Sequence, residues 1–215
     1  MKFGIFGDIH GNLEALEAVL EDMQVQAVTH TACVGDILGQ YANPRECLEI
    51  VRALGCPIVR GNLDEQDSQR RGERSHLTAE QQKFLRAQPL QQVVNSFTIV
   101  HSSLDSPNAW NKVISLHDAE GSFLHQKTNI CFFGHSHVPD LFIRDTKVHK
   151  FFFKKVDIKP ELKYFVNVGS VGEPRDGDWR AAYVIYDNVA NTMELRRLPF
   201  DLAKAQAKIR GSGLP

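Results

Sequence analysis

Seven polar side chains of this sequence occupy equivalent places, each at the end of a short apolar stretch, usually after a glycine. They are Asp8, His10, Asp36, Asn62, His101, His135 and His137. Carboxylate oxygen, amide oxygen and imidazole nitrogen are ligands that proteins offer to divalent metals such as Mn, Fe, Zn and Ni. A single such placement is ordinary, but its recurrence at five apolar stretches predicts a metal site.

Asp8 and His10 show how weak one such motif is by itself. In an extended segment, residues two apart project to the same side, so both side chains could face one ion. The alternative is an Asx-type turn that leads into the next helix. Agreement with the other stretches therefore decides between the two interpretations.

The N-terminal part of the chain is predicted to be a βαβαβ unit. Apolar stretches at 3–6, 26–34 and 57–60 predict strands, with helices beginning at Asn12, a candidate N-cap, and at Pro44. Such a unit implies parallel strands and right-handed crossovers. Ligands of open α/β sheets bind at the carboxyl ends of the strands. The polar side chains should therefore meet at one edge.

Capping signals and the alternation of apolar and polar residues predict the later helices and strands. Thr78 with Gln81 resembles a capping box. Further elements are predicted at 92–100 (hairpin), 118–126 (helix), 130–133, 141–168 (short strands), 182–197 (hairpin) and 202–209 (helix). The polar segment 64–76 carries Arg70, Arg71 and Arg74 and is interpreted as a solvated loop; contact with a substrate phosphate is the alternative. Residues 1–215 are expected to form a single domain.

Composition narrows the class of protein. The 215 residues are 42% hydrophobic with a net charge of −1, which is typical of a globular protein and gives no electrostatic reason for nucleic-acid or membrane binding. No apolar run approaches the roughly 18 residues of a membrane span. Four cysteines without paired spacing argue against a disulfide framework. We therefore expect a cytoplasmic protein.

The sequence resembles the calcineurin-like metallophosphoesterase family, in particular its small bacterial and archaeal phosphodiesterase-type branch. The matching motifs are Asp8-Ile9-His10, Gly35-Asp36, Gly61-Asn62-Leu63-Asp64, His101 and Gly134-His135-Ser136-His137, in the family's order. The resemblance implies an α/β fold (α+β in some schemes), a four-layer αββα sandwich of two mixed β-sheets flanked by helices.

The resemblance also implies a dinuclear metal centre. One divalent ion would be held by Asp8, His10 and His137, and the other by Asn62, His101 and His135, with Asp36 bridging both. Asp36, Asn62 and His101 would then lie at the catalytic centre, where a hydroxide bridging the ions attacks the phosphorus. Manganese is favoured, with Fe, Zn, Ni or Mg as alternatives. Asn62 and Arg175, the latter in a loop that the resemblance puts near the site, are candidate substrate contacts.

Leu63 departs from the family pattern. Many members have His at this position, where it is thought to bind phosphate or protonate the leaving group. Loss of a general acid costs roughly 10²–10⁴-fold in rate. Leucine at this position favours a phosphodiesterase that acts on esters with good leaving groups. Asp64 is then expected to be a loop residue or a hydrogen-bonding residue.

Other functions remain open at this point. A phosphomonoesterase or protein phosphatase-like enzyme and a dinucleoside polyphosphate hydrolase would share the fold. A non-catalytic protein-binding scaffold, similar to the retromer subunit of this fold, is a further alternative. The expected partner is a small phosphate ester or nucleotide, without membrane or specific nucleic-acid binding, and self-association is left open.

Overall fold

Two mixed β-sheets form the middle layers of the molecule. The computed structural model describes residues 1–70 and 77–212. The first sheet contains β1 (Lys2–Phe6), β2 (His30–Cys33), β8 (Lys155–Asp157), β10 (Ala181–Asp187) and β11 (Thr192–Leu198), in the order β2-β1-β10-β11-β8. The second contains β3 (Gln91–Val94), β4 (Phe97–Val100), β5 (Ile130–Phe133), β6 (Leu141–Arg144), β7 (Val148–Phe151) and β9 (Lys163–Asn167), in the order β3-β4-β5-β9-β6-β7.

Helices cover the outer faces of both sheets. Within the described residues they are α1 (Leu13–Val25), α2 (Pro44–Ala53), α3 (Asn62–Gln69), α4 (Ala79–Ala87), α5 (Leu116–His125) and α6 (Leu202–Ser212), with a 3₁₀ turn at Pro107–Ala109. No helix in the described ranges combines the length and apolar character needed to cross a bilayer.

The strand β1 shows why the layers form. Its residues are apolar nearly throughout, as expected of a strand buried on both faces. Ile5 packs between the two sheets, whereas the next residue, Phe6, packs against the helices outside. Between the sheets, Phe3 meets Phe97 edge to face with ring centroids 5.1 Å apart.

The second sheet is covered in the same way. Phe123 of α5 is buried against Phe165 of β9, with ring centroids 6.0 Å apart. The layers therefore run helix, sheet, sheet, helix, and the expected αββα sandwich is confirmed. The cysteines also behave as predicted: all four are free thiols, and Cys33, Cys47 and Cys131 are buried.

The predicted βαβαβ unit is correct in part. β1 and β2 are parallel. The second strand begins at His30 rather than at residue 26, because α1 ends in a turn there: Ala27 has φ 52° and the Val28 N–H donates to the Met23 carbonyl over 2.9 Å. This turn is a helix C-terminal cap.

The third predicted strand, at 57–60, is wrong. Among the described residues, this stretch forms a single isolated parallel bridge, between Cys33 and Ile58. Pro57 has no N–H to donate, and the Arg60 N–H leaves the sheet to donate to the Pro89 carbonyl over 2.9 Å.

Two other segments also differ from expectation. The predicted loop at 64–76 is wrong over its first part, where α3 continues to Gln69; Arg71 and Arg74 lie outside the described residues. Among the short strands expected at 141–168, β7 stops at Phe151, and β8 follows as an edge strand that the sequence did not predict. Phe152 is 88% exposed, so it is no core residue.

Candidate metal centre

The carboxyl ends of four strands carry the candidate site. Asp8 and His10 follow β1, and Asp36 follows β2, its parallel neighbour. In the second sheet His101 follows β4, while His135 and His137 follow β5, which is parallel to β4. Asn62, from the failed strand prediction, is the first residue of α3 instead.

One group of donor atoms comes from the loops after β1 and β5. Asp8, His10 and His137 form a buried cluster whose potential ligand atoms lie within 4.8 Å of one another. His10 Nε2 and His137 Nε2 are 3.0 Å apart, and Asp8 Oδ1 is 3.4 Å from His137 Nε2.

A second group lies beside the first. Asp36, His101 and His135 also bring their ligand atoms within 4.8 Å of one another. His101 Nε2 is 3.2 Å from His135 Nδ1 and 3.1 Å from Asn62 Oδ1. All seven side chains that the sequence singled out are therefore brought together.

Asp36 lies between the two groups. Its Oδ2 is 3.5 Å from His101 Nε2 in one group and 3.9 Å from His10 Nε2 in the other. Its other oxygen, Oδ1, accepts a hydrogen bond of 2.9 Å from the Leu63 N–H. That bond fixes the carboxylate with one oxygen facing the space shared by both groups.

The backbone at these residues differs from the extended geometry that the sequence suggested. Five of the seven have left-handed φ: Asp8 (48°), His10 (54°), Asp36 (50°), His135 (67°) and His137 (62°). The side chains of Asp8 and His10 therefore converge through a left-handed turn, not by strand alternation. Each such residue costs roughly 1–2 kcal/mol, and clusters of such strain are typical of functional sites.

Hydrogen bonds between the strand-end loops hold this geometry. The Asp8 N–H donates to the Gly35 carbonyl over 2.9 Å, and the His10 N–H donates to the Asp36 carbonyl over 3.1 Å. A later loop closes over them, because the Gly172 N–H donates to the Asp8 carbonyl over 2.9 Å. A side chain at Gly61 would overlap the Asp36 carboxylate and lie 2.5 Å from the Asp36 N.

Backbone carbonyls orient three of the four imidazoles. His101 Nδ1 is 2.8 Å from the Val34 carbonyl, His137 Nδ1 is 2.6 Å from that of Glu173, and His135 Nε2 is 2.8 Å from that of Trp110. A ring nitrogen held by a carbonyl carries the proton, which leaves the other nitrogen free to ligate a metal. Sequence reasoning missed these partners, because a carbonyl is common to every residue type.

The carboxylates and imidazoles of the site shift one another's pKa values. Burial acts to raise the pKa of Asp8, but the close imidazoles of His10 and His137 outweigh it and hold that pKa well below its usual value. Burial lowers the pKa of His101, yet the Asp36 charge raises it to about 9. Burial and the His101 charge lower the pKa of His135 to about 4.

Asp64 supports the site from outside. It is fully buried, and its Oδ1 accepts hydrogen bonds from Ile37 N–H (3.0 Å) and Leu38 N–H (3.1 Å) while Oδ2 accepts one from Gly61 N–H (3.1 Å). Burial and the Asp36 charge raise its pKa to about 6. It joins the start of α3 to the loop after Asp36, so of the two roles expected, hydrogen bonding is the one observed.

Asn167, at the end of β9, and Arg175, the remaining candidate substrate contact, lie beside the loop that follows β5. Asn167 is buried and donates through Nδ2 to the Gly134 carbonyl over 2.8 Å, which supports the His135–His137 turn. The Arg175 N–H donates to the His137 carbonyl over 3.3 Å, and its guanidinium, 42% exposed, binds Glu173 over 2.8 Å.

The donor set and its geometry fit divalent cations. Asp8 Oδ1 is buried without a hydrogen-bond donor in the described part of the chain. Bonds of about 2.0–2.2 Å to one ion place neighbouring donors about 3.0–3.5 Å apart, as observed for the closest pairs. Mixed imidazole and oxygen donors suit Mn, Fe, Zn or Ni.

A sandwich of two mixed sheets with a metal-binding cluster at the carboxyl ends of its strands defines a class of metal-dependent α/β proteins. The sequence profile of the calcineurin-like phosphoesterase superfamily domain matches residues 1–190. An uncharacterised protein of Methanocaldococcus jannaschii is 31% identical over 230 residues, which cover 98% of this chain and 93% of that protein.

Solved structures agree with this match. The crystal structure of a metallophosphoesterase from Sphaerobacter thermophilus is 34% identical, with a TM-score of 0.90 over 100% of this chain and 95% of that one. A hypothetical protein from Pyrococcus horikoshii OT3 shares the fold at 17% identity, with a TM-score of 0.79 over 100% and 94% of the two chains. The chain belongs to the calcineurin-like phosphoesterase superfamily, a family of metal-dependent hydrolases of phosphate esters.

Proposed function

We propose that this protein is a dinuclear metal-dependent phosphodiesterase. The position of Asp36 between the two donor groups, 3.5 Å from His101 Nε2 and 3.9 Å from His10 Nε2, carries the proposal. Asp8, His10 and His137 would hold one ion, and Asn62, His101 and His135 the other, with Asp36 shared. When bound, two divalent cations attract a phosphate ester and lower the pKa of water.

The protein's own residues prepare the site for this chemistry. The carbonyls of Val34, Glu173 and Trp110 fix three imidazole tautomers, and the Leu63 N–H fixes Asp36. Arg175 lies beside the first donor group and is half exposed. We propose that it contacts a substrate phosphate, as we do for the Asn62 side-chain amide.

The preference for diesters depends on Leu63. Its side chain is partly exposed at the start of α3 and carries no proton to give. The neighbouring carboxyl, Asp64, is fully buried and accepts three backbone N–H groups, so it does not reach a leaving group. Without a side-chain acid here, esters with good leaving groups should react best.

The test is hydrolysis of bis-p-nitrophenyl phosphate and of p-nitrophenyl phosphate, with manganese first and then iron, zinc, nickel and magnesium. We expect turnover of both and a higher kcat/KM for the diester. Absence of turnover with every metal would refute the enzymatic proposal. A clear preference for the monoester would refute only the diester assignment and would favour a phosphatase.

A substitution tests the reason for the preference. Leu63→His should raise kcat for monoesters with poor, alkyl leaving groups, because an imidazole at this position supplies the missing acid, with a gain of up to roughly 10²-fold. The control is Leu63→Gln, which is polar but does not protonate a leaving group. An unchanged rate in Leu63→His would mean that leaving-group protonation does not limit the reaction.

A further inference from the structure

Trp110 lies beside the second donor group in an unusual backbone conformation. It follows the 3₁₀ turn Pro107–Ala109 and is left-handed, with φ 56° and ψ 34°. This conformation is uncommon for a bulky residue. It is held by the hydrogen bond between His135 Nε2 and the Trp110 carbonyl, at 2.8 Å.

That hydrogen bond does not explain why this residue is a tryptophan. Any residue offers a carbonyl, and Gly or Asn would adopt the left-handed conformation with less strain. The ring meets His101 edge to face, with centroids 5.9 Å apart, and the residue remains only partly buried. The indole therefore borders the donor cluster and keeps part of its surface open to solvent.

The two sides of the cluster differ in chemistry. The aromatic surface lies beside His101 and His135, whereas the exposed guanidinium of Arg175 belongs to the loop that binds His137. A ligand with a phosphate at the metal centre would therefore meet a planar aromatic surface beside the second donor group. Indole surfaces of this kind stack on nucleobases regardless of base sequence.

We infer that Trp110 forms a subsite for the nucleobase of a nucleotide-type phosphate ester. The inference rests on the proposed function for the position of the phosphate, and it narrows the substrate class to esters that carry a base. Trp110 thereby acts on specificity through its side chain and on His135 through its carbonyl. Only the side-chain role is lost on substitution.

The kinetic test compares two esters that differ only in the base. They are thymidine 5′-(p-nitrophenyl phosphate) and its abasic counterpart, assayed with the metal-loaded enzyme. Trp110→Ala should raise KM for the thymidine ester about tenfold, the loss of one stacking contact, and leave KM for the abasic ester within about twofold. Trp110→Phe should restore most of the difference, and Trp179→Ala, which removes an exposed indole packed on Phe200, should change neither KM.

Equal changes for both esters would overturn the inference, since they would show that Trp110 only supports the metal site. No change for either would overturn it as well. Wild-type enzyme that cleaves neither ester would instead count against the proposed function.

Isothermal titration calorimetry with thymidine 5′-phosphate and with ribose 5-phosphate distinguishes failure of the subsite from failure of the proposed enzymatic function, because binding needs no turnover. The wild type should bind the nucleotide about tenfold more tightly, and Trp110→Ala should abolish that difference. A difference that persists in Trp110→Ala would refute the subsite even if the protein is no enzyme.

Discussion

Asp36 has the central role at the scale of single residues. It is buried, it lies between two imidazole groups, and one of its oxygens is fixed by the Leu63 N–H at 2.9 Å. Burial acts to raise its pKa, but the charge and hydrogen bond of His101 bring that pKa below its usual value. It is thus an ionised carboxylate in a buried site, which proteins tolerate when cations or cationic groups compensate it.

We expect Asp36→Asn to lose most of both metals and to reduce kcat/KM by at least about 10³-fold. The amide keeps an oxygen for the Leu63 N–H, so the loop should retain its shape while the negative charge is lost. Metal content by plasma mass spectrometry and turnover of the diester measure the outcome. Asp157→Asn, an exposed change in β8, is the control. Full occupancy of both sites in Asp36→Asn would exclude a shared ligand.

At the scale of elements, Asp22 joins α1 to the first sheet. Its carboxylate accepts hydrogen bonds from Tyr183 Oη of β10 (2.7 Å) and from Arg196 Nη2 of β11 (2.9 Å). Burial acts to raise the pKa of Asp22, but Arg196 and then Tyr183 outweigh it and lower that pKa. The helix that starts beside the donor loop is thus fixed to the sheet that carries Asp8.

We expect Asp22→Asn to lower the free energy of unfolding by about 1–3 kcal/mol at pH 7. A depressed folded-state pKa stabilises the protein above the unfolded pKa of about 3.9, and this contribution is lost as pH falls through the folded value. The difference in the free energy of unfolding between wild type and variant should therefore be constant near neutrality and shrink below about pH 4. Urea unfolding at several pH values measures it.

Glu21→Gln, an exposed neighbour on α1, is the matched control and should change stability by less than about 0.5 kcal/mol. If the loss of unfolding free energy in Asp22→Asn persisted unchanged to pH 2, the charge of Asp22 would contribute nothing to stability. The variant would then act only through packing.

Several features of these elements could be predicted from the sequence, because they depend on local signals. Apolar stretches followed by polar turns singled out seven side chains that the structure brings together, because burial and turn chemistry are local properties. The N-cap at Asn12 and the capping box at Thr78 and Gln81 are local too, and the structure has both. The left-handed turn at Asp8 was not predictable, because it is imposed by the hydrogen bond that its N–H donates to the Gly35 carbonyl and by the one that its carbonyl accepts from the Gly172 N–H, and both partners are distant in sequence.

Long-range contacts explain the other failures as well. The stretch 57–60 has strand-like composition, but Arg60 finds its partner at Pro89, so one bridge forms in place of a strand. β8 has only three residues and pairs with β11, which no local pattern in Lys155–Asp157 indicates. Trp110 was missed because its role depends on which rings the fold places beside it.

For the whole molecule, metal binding should contribute measurably to stability. Five strained residues and several buried charges lie at the donor cluster, and only the folded chain brings the donors together. Cations that bind the folded state alone add about 2.7 kcal/mol per site at a hundredfold excess over Kd. This predicts a rise in Tm of roughly 5–10 °C per site for a protein of this size.

Differential scanning calorimetry of chelator-treated protein, with and without added manganese, measures this rise. Asp36→Asn should show a much smaller rise, whereas Asp157→Asn should match the wild type. An equal rise in wild type and Asp36→Asn would place the stabilising cations somewhere other than the proposed centre.

The order in which the site is assembled during translation follows from the loop that closes over Asp8. All seven donors have been synthesised once residue 137 is made, but Val171 and Gly172, whose N–H groups bind the Gly7 and Asp8 carbonyls, come later. At about 5–20 residues per second the ribosome takes several seconds to add them, and β1 must also wait for β10, its antiparallel partner. Until these residues are added, the turn at Asp8 lacks two of the hydrogen bonds that give it its shape. We expect the metal to be selected only when the last third of the chain closes the turn around Asp8.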